Sequence, residues 1–220
     1  MTLVKLQWAT PNIDEQIAYQ ARVSNPENQD NPAIAGLLNY CMREGHVSPF
    51  EMANVCLEIN TTRDIARQIL RHRSFSFQEF SQRYQDVTKL GAFVERECRL
   101  QDTKNRQNSL ACDDDKKRQA WSNLQAWSNL QELVTAVADE AYAAALEVGV
   151  AKEQARALLP EGLTPSRLYM NGTMRSWVHY LSQRLHPSTQ KEHRQVAEQA
   201  LAVLRTVAPV TTSAFFPELT

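Results

Sequence analysis

Apolar and polar residues alternate from Asn54 to Asn60, with Val55, Leu57 and Ile59 set against Asn54, Cys56, Glu58 and Asn60, a period of two that predicts a half-buried strand. A second short strand is expected at Leu3 to Trp8, closed by Thr10 and Pro11. Elsewhere the apolar spacing is helical. Ile13 to Val23 reads as a helix, and Pro32 to Glu44 as a stronger one, with Pro at its start, Ile34, Leu37, Leu38 and Cys41 on one face and Gly45 as its stop. Thr61 or Thr62 can cap a basic helix that buries Ile65, Ile69 and Leu70. The hexapeptide Gln119 to Leu124 recurs as Gln125 to Leu130, a local duplication that lengthens a helix running to Leu146 and ended by Gly149. Lys152 to Leu159 is a short helix stopped by Pro160. Thr164 and Pro165 form an N-cap and first-turn pair that opens a helix to Leu185, bent at Gly172. Ser188 or Thr189 starts a last helix through Val207. The pattern predicts an α+β fold, helix-rich, with a small, mostly antiparallel sheet.

Composition narrows this picture. With 220 residues, 43% hydrophobic and 22% charged, the chain fits one domain over 1–220, interrupted by an exposed polar insertion at about 95–119 that contains Asp113 to Lys117. A net charge of -1 gives no global field to attract nucleic acid or an anionic membrane, so any affinity for anions is local. Cys41, Cys56, Cys98 and Cys112 are widely spaced, which argues against a structural zinc site and against a compact disulfide scaffold. Reduced thiols follow. His179, His186 and His193 lack carboxylate or cysteine partners at ligand spacing, so no metal is expected. The N-terminus has no long apolar segment and no apolar run approaches the ~18 residues that span a bilayer, so a soluble, cytoplasmic protein is expected. Trp121, Trp127 and Trp177 read as packing residues.

No glycine-rich phosphate loop, H-E-x-x-H or G-x-S-x-G is present, which leaves arginine forks as the means of holding an anion. Arg63, Arg67 and Arg71 recur every four residues, and on a helix each neighbouring pair repels by roughly 0.2 to 0.5 kcal/mol. An anionic group is expected opposite them. The following residues, Arg71 to Tyr84, read R-H-R-x-x-S-x-Q-E-x-S-x-R-Y. This stretch resembles the signature of the flavin-dependent thymidylate synthases, with Gln78 where the usual form has Asn. Ala21 to Ser24, Gly45 to Glu51, Ala66 to Gln68, Ala155 to Pro160 and Met174 to Arg184 resemble further blocks of that family, in its order.

The resemblance implies a homotetramer with sites built from several subunits. It also implies transfer of a methylene group from methylenetetrahydrofolate to dUMP, with FAD reduced by NADPH supplying the hydride. Under it, Gln68, Arg71, Glu79, Phe80, Ser81, Gln82, Arg83, Arg156 and Arg184 hold dUMP. Ser48, Arg71, His72, Arg73, Glu79, Thr173, Met174, Arg175 and His179 contact FAD. Arg184 is the catalytic residue, meeting the uracil and favouring ionisation at N3. The residues themselves support part of this. Gln68 and Arg71 are i, i+3 neighbours able to address one ligand, and an arginine beside a uracil imide stabilises its anion without a covalent cysteine adduct. Ser81 has no identifiable base partner and is expected to act by hydrogen bonding. Two alternatives stay open: a relative that binds flavin or nucleotide without turnover, and a nucleic-acid-binding module using Arg63, Arg67, Arg71 and Arg73 on phosphates, which the net charge disfavours.

Overall fold

The computed structural model describes residues 2–112 and 117–217. Strands β1 (Leu3–Ala9), β2 (Asn54–Thr62), β3 (Ser76–Glu79) and β6 (Pro165–Thr173) form one sheet in the order β1-β2-β6-β3, antiparallel throughout. Strands β4 (Arg99–Gln101) and β5 (Ser109–Ala111) pair separately as a hairpin. The helices are α1 (Ile13–Ala21), α2 (Ala35–Arg43), α3 (Arg63–Ile69), α4 (Lys117–Glu147), α5 (Lys152–Ala155), α6 (Met174–Arg184), α7 (Lys191–Val207) and α8 (Pro209–Phe215). The helix-rich α+β domain and its antiparallel sheet agree with the expectation from sequence.

One sheet face makes the core. Leu57 pairs with Met170 and Ile59 with Leu168, and all four are fully buried together with Val55. The opposite face is mixed and partly open to solvent, as antiparallel sheets permit: Trp8 and Tyr169 are exposed there, and Arg167 is bonded to Asn60 and ion-paired with Glu58. On the covered face lie Ile13 and Ile17 of α1, Trp177 and Tyr180 of α6, and Val196, Ala200 and Leu204 of α7. Asp14 is buried because it caps α8, accepting from the amides of Val210 at 2.7 Å and Thr211 at 3.0 Å. Buried Arg22 donates to the carbonyls of Gln29, Asn31 and Ala33 and so ties down the chain between α1 and α2.

The structure corrects several expectations. Residues 165–173 are not helical: they form β6, an inner strand between β2 and β3. The cause is legible in hindsight, since Ser166, Leu168, Met170 and Gly172 are buried in alternation with exposed or half-buried neighbours. Thr173, rather than Thr164, opens the helix that follows, accepting from the amide of Ser176 at 3.2 Å. The polar insertion carries the β4/β5 hairpin; the acidic run at 113–115 and the side chain of Trp121 lie outside the described residues. Trp127 is not a core residue: it is 38% exposed and its indole N–H donates to the Arg96 carbonyl. The duplication does lie on one continuous helix, which Gly149 ends at φ 83°, where a side chain would be strained.

Candidate functional site

Helix α3 stops at Ile69, and tight turns, His72 N–H to Ile69 O and Phe75 N–H to His72 O, swing the chain into β3. Arg71 therefore leaves the helix, and only Arg63 and Arg67 remain of the expected stripe. These two have their anions within the chain: Arg63 lies 3.7 Å from Glu79 and Arg67 3.5 Å from Glu161. That removes two of the four arginines from any basic face offered to nucleic acid. Arg71 and Arg73 are exposed and have no carboxylate within 4.0 Å among the described residues.

What seats this segment is Phe75. Its ring is buried edge-on against Trp177 at 4.8 Å, close beside the backbone of Gly172, while Ser176 Oγ donates to the Ser74 carbonyl. The segment then meets the far end of α6. Arg184 Nε donates to His72 Nε2 at 2.9 Å, and the His72 ring stands edge-on to Tyr180 at 4.9 Å. Burial, with the nearby charges of Arg184, His179 and Arg71, pushes the His72 pKa down to about 4, so at neutral pH the ring is uncharged and can accept the arginine's proton donor. Behind it, His193 of α7 bonds Tyr180 Oη and Gln68 Oε1, each at 3.1 Å. Gln68, His72 and Arg184 are thus brought together.

A second group surrounds a cavity of about 420 Å³ lined by Arg63, Arg67, Gln82, Arg156, Leu159, Glu153 and Glu161. Gln82 is buried at its wall, and Arg156 Nε is held by the Glu153 carbonyl. Glu79 accepts from Ser166 Oγ at 2.8 Å, Ser81 Oγ accepts from the Arg83 amide at 3.4 Å, Arg83 pairs with Glu153 at 3.3 Å, and the Phe80 amide bonds the Arg167 carbonyl.

The third group lies near the start of α6. Ser48 is exposed on the 3-10 turn Ser48–Glu51, Arg175 is ion-paired with Glu51, and His179 is exposed beside Gln183. Met174 is fully buried and its amide is bonded to the Ala53 carbonyl, so neither group is available to a ligand. Ser176 Oγ joins the third group to the first, lying 3.2 Å from Thr173 Oγ1 and donating to the Ser74 carbonyl at 3.1 Å, whereas no side-chain hydrogen bond or ion pair among the described residues joins either to the group around Arg156. Tyr180 and His193 were missed from the sequence. The available signal for His193 was its place on the apolar face of α7 with Val196, Ala197 and Ala200.

Comparison with known proteins places the chain among relatives. The family model described as "Thymidylate synthase complementing protein" matches residues 5–210. A flavin-dependent thymidylate synthase of Synechocystis sp. is 50% identical over 198 residues, which cover 90% of this chain and 87% of that protein. A probable flavin-dependent thymidylate synthase of Paramecium bursaria Chlorella virus 1 is 50% identical over 185 residues, covering 84% and 82%. Among solved structures, the UMP/dUMP methylase PolB from Streptomyces cacaoi, bound with 5-Br dUMP, is similar with a TM-score of 0.83 at 29% identity, covering 99% of this chain and 95% of that one.

Proposed function

The chain belongs to the flavin-dependent thymidylate synthase family, and from that premise we propose that it methylates dUMP to dTMP with FAD as resident cofactor, methylenetetrahydrofolate as carbon donor and NADPH as reductant. It works as a cytoplasmic homotetramer whose sites draw on several subunits. The separation of the group around Arg156 from the other residues assigned to the nucleotide and the flavin supports shared sites.

The observation that carries this proposal is the meeting of Arg184 with an uncharged His72. The histidine holds Nε, and the other guanidinium N–H groups carry no hydrogen bond among the described residues. They are free to meet the uracil edge, where a charge-assisted bond stabilises the N3 anion and makes C5 nucleophilic. A thiol nucleophile is not needed. Cys41 and Cys56 are buried with pKa values raised chiefly by that burial, the opposite of an activated thiol. Gln68, Arg71, the segment Glu79 to Arg83 and Arg156 hold the nucleotide. Ser48, Arg71, His72, Arg73, Glu79, Thr173, Arg175 and His179 hold FAD, Met174 only lining the helix start. The unpaired guanidinium groups of Arg71 and Arg73 fit a diphosphate. When bound and reduced, FAD supplies the hydride.

The test is dTMP formation by the FAD-loaded protein given dUMP, methylenetetrahydrofolate and NADPH. Product is expected from the parent and not from Arg184→Ala. No dTMP from a correctly folded, flavin-loaded parent would overturn the proposal.

A further inference from the structure

We propose that His193 is a positioning residue for the nucleotide site, holding the Gln68 amide in the rotamer and direction in which it presents its remaining hydrogen-bonding groups. The inference rests on the nucleotide-binding role of Gln68.

The direction of every bond in the relay follows from one end. Glu192, ion-paired with Arg96 and Arg99, is a carboxylate and can only accept. Gln190 therefore turns its Nε2 toward Glu192, at 3.0 Å, and its Oε1 toward Gln68. Gln68 in turn donates from Nε2 to that oxygen at 2.8 Å, which leaves its own Oε1 facing His193. An amide oxygen cannot donate, so His193 Nδ1 carries the hydrogen across the 3.1 Å contact. Burial first, then the charges of Arg184 and His72, push the His193 pKa down to about 3, so the ring is neutral and Nε2 is bare. That nitrogen accepts a hydrogen bond from the Tyr180 hydroxyl, and burial keeps that phenol protonated.

The consequence falls on Gln68. An amide side chain reads a ligand differently when it is flipped, and a free one must be ordered as the ligand arrives. Here the orientation is set beforehand from Gln190 and the rotamer is held from the other side by the His193 ring, which is itself 0% exposed. One amide N–H and one carbonyl lone pair of Gln68 remain, each aimed in a fixed direction.

The experiment is calorimetric titration of dUMP into the FAD-loaded protein, with steady-state kinetics alongside. His193→Leu, which keeps an apolar side chain in the space and removes both bonds, is expected to raise the dUMP Kd and KM about tenfold, with kcat within about twofold, the effect of one ordinary hydrogen bond. His193→Asn restores a donor near Nδ1 and is expected to recover most of that affinity. In a Gln68→Ala background, His193→Leu is expected to add nothing. Additive losses there, or unchanged affinity in His193→Leu alone, overturn the role of His193 while leaving Gln68 in the site. Unchanged affinity in Gln68→Ala overturns the nucleotide role of Gln68 itself, and the inference with it. Should the leucine variant not fold, Gln190→Ala cuts the same relay at an exposed position and is expected to weaken dUMP binding about threefold; parent affinity in that variant overturns the inference.

Discussion

Gly172→Ala tests how the arginine-bearing segment is seated. Gly172 is buried in β6 opposite Val55, and an added Cβ would stand 2.4 Å from Phe75 Cδ1, 2.6 Å from Cε1 and 3.2 Å from Cγ. Carbon atoms rest near 3.5 to 4.0 Å, so the methyl overlaps the ring by about 1 Å. Backbone strain is not the issue, because Gly172 is not among the glycines of positive φ. Phe75 cannot swing aside cheaply, being enclosed by Trp177 at 4.8 Å, Tyr180 at 6.1 Å and Phe77 at 6.2 Å. Overpacking of this kind costs roughly 1 to 3 kcal/mol, while replacing glycine by alanine returns roughly 0.4 to 1 through the unfolded chain. A net loss of about 1.5 kcal/mol is expected, a fall in Tm of about 3 to 6 °C at this chain length.

The ring that must move lies two residues from Arg73, so turnover should fall further than stability does. Thermal unfolding by circular dichroism and dTMP formation, measured on Gly172→Ala, Phe75→Leu and the double variant, separate the effects. The smaller leucine makes room for the methyl, and the pair is expected to couple favourably by at least about 0.5 kcal/mol. A Tm at or above that of the parent in Gly172→Ala, or simple additivity in the double variant, would refute the close approach of Phe75.

Three further outcomes follow from other parts of the molecule. His72 and His193 have folded pKa values pushed from 6.5 to about 4 and about 3, so the unfolded chain binds the extra protons: their stabilising share is complete above pH 6.5 and is lost as pH falls through those values. His193→Asn should make the Tm profile shallower than the parent's between pH 6.5 and 3, and parallel profiles would contradict the assignment. Arg96, with a side chain 13% exposed, links Asp64, Glu192, Thr62 and the Gly162 carbonyl, and Arg96→Ala should cost about 3 kcal/mol in denaturant unfolding; a loss under about 1 kcal/mol would mean that the network is solvated. Cys98 and Cys112 extend the β4/β5 register one pair beyond Arg99 and Ala111. Oxidised glutathione should therefore convert both thiols to one disulfide, releasing two molecules of reduced glutathione and closing a loop that stabilises by about 3 kcal/mol; peptide mapping that finds the two thiols unlinked would count against this pairing.

Local physics explains which elements could be read in advance. Strand β2 was legible because its large apolar residues Val55, Leu57 and Ile59 alternate, although Cys56 between them is buried too, and α7 because its buried positions recur with helical spacing. Strand β6 was not. Its inward positions include Ser166 and Gly172, which carry no apolar signal, and its first residues imitate a helix cap. Pairing with β2 on one side and β3 on the other, contacts distant in sequence, overrode that local preference. The same distance hid the partners within the site: Arg184 meets His72 112 residues away, and His193 meets Gln68 125 residues away.

The arginine stripe shows an electrostatic expectation met from within the chain. Like charges at that spacing did require anions, but Glu79 and Glu161 supply them for Arg63 and Arg67, and both lie outside the helix. The helix ends before Arg71, so this side chain escapes the stripe and needs no internal carboxylate. Arg71 and Arg73 thereby have no side-chain hydrogen bond or ion pair among the described residues, at an exposed turn held from behind by Phe75 and beside a neutral His72. A phosphate-bearing ligand would find the cations that folding has left unused, displacing only water rather than an existing ion pair.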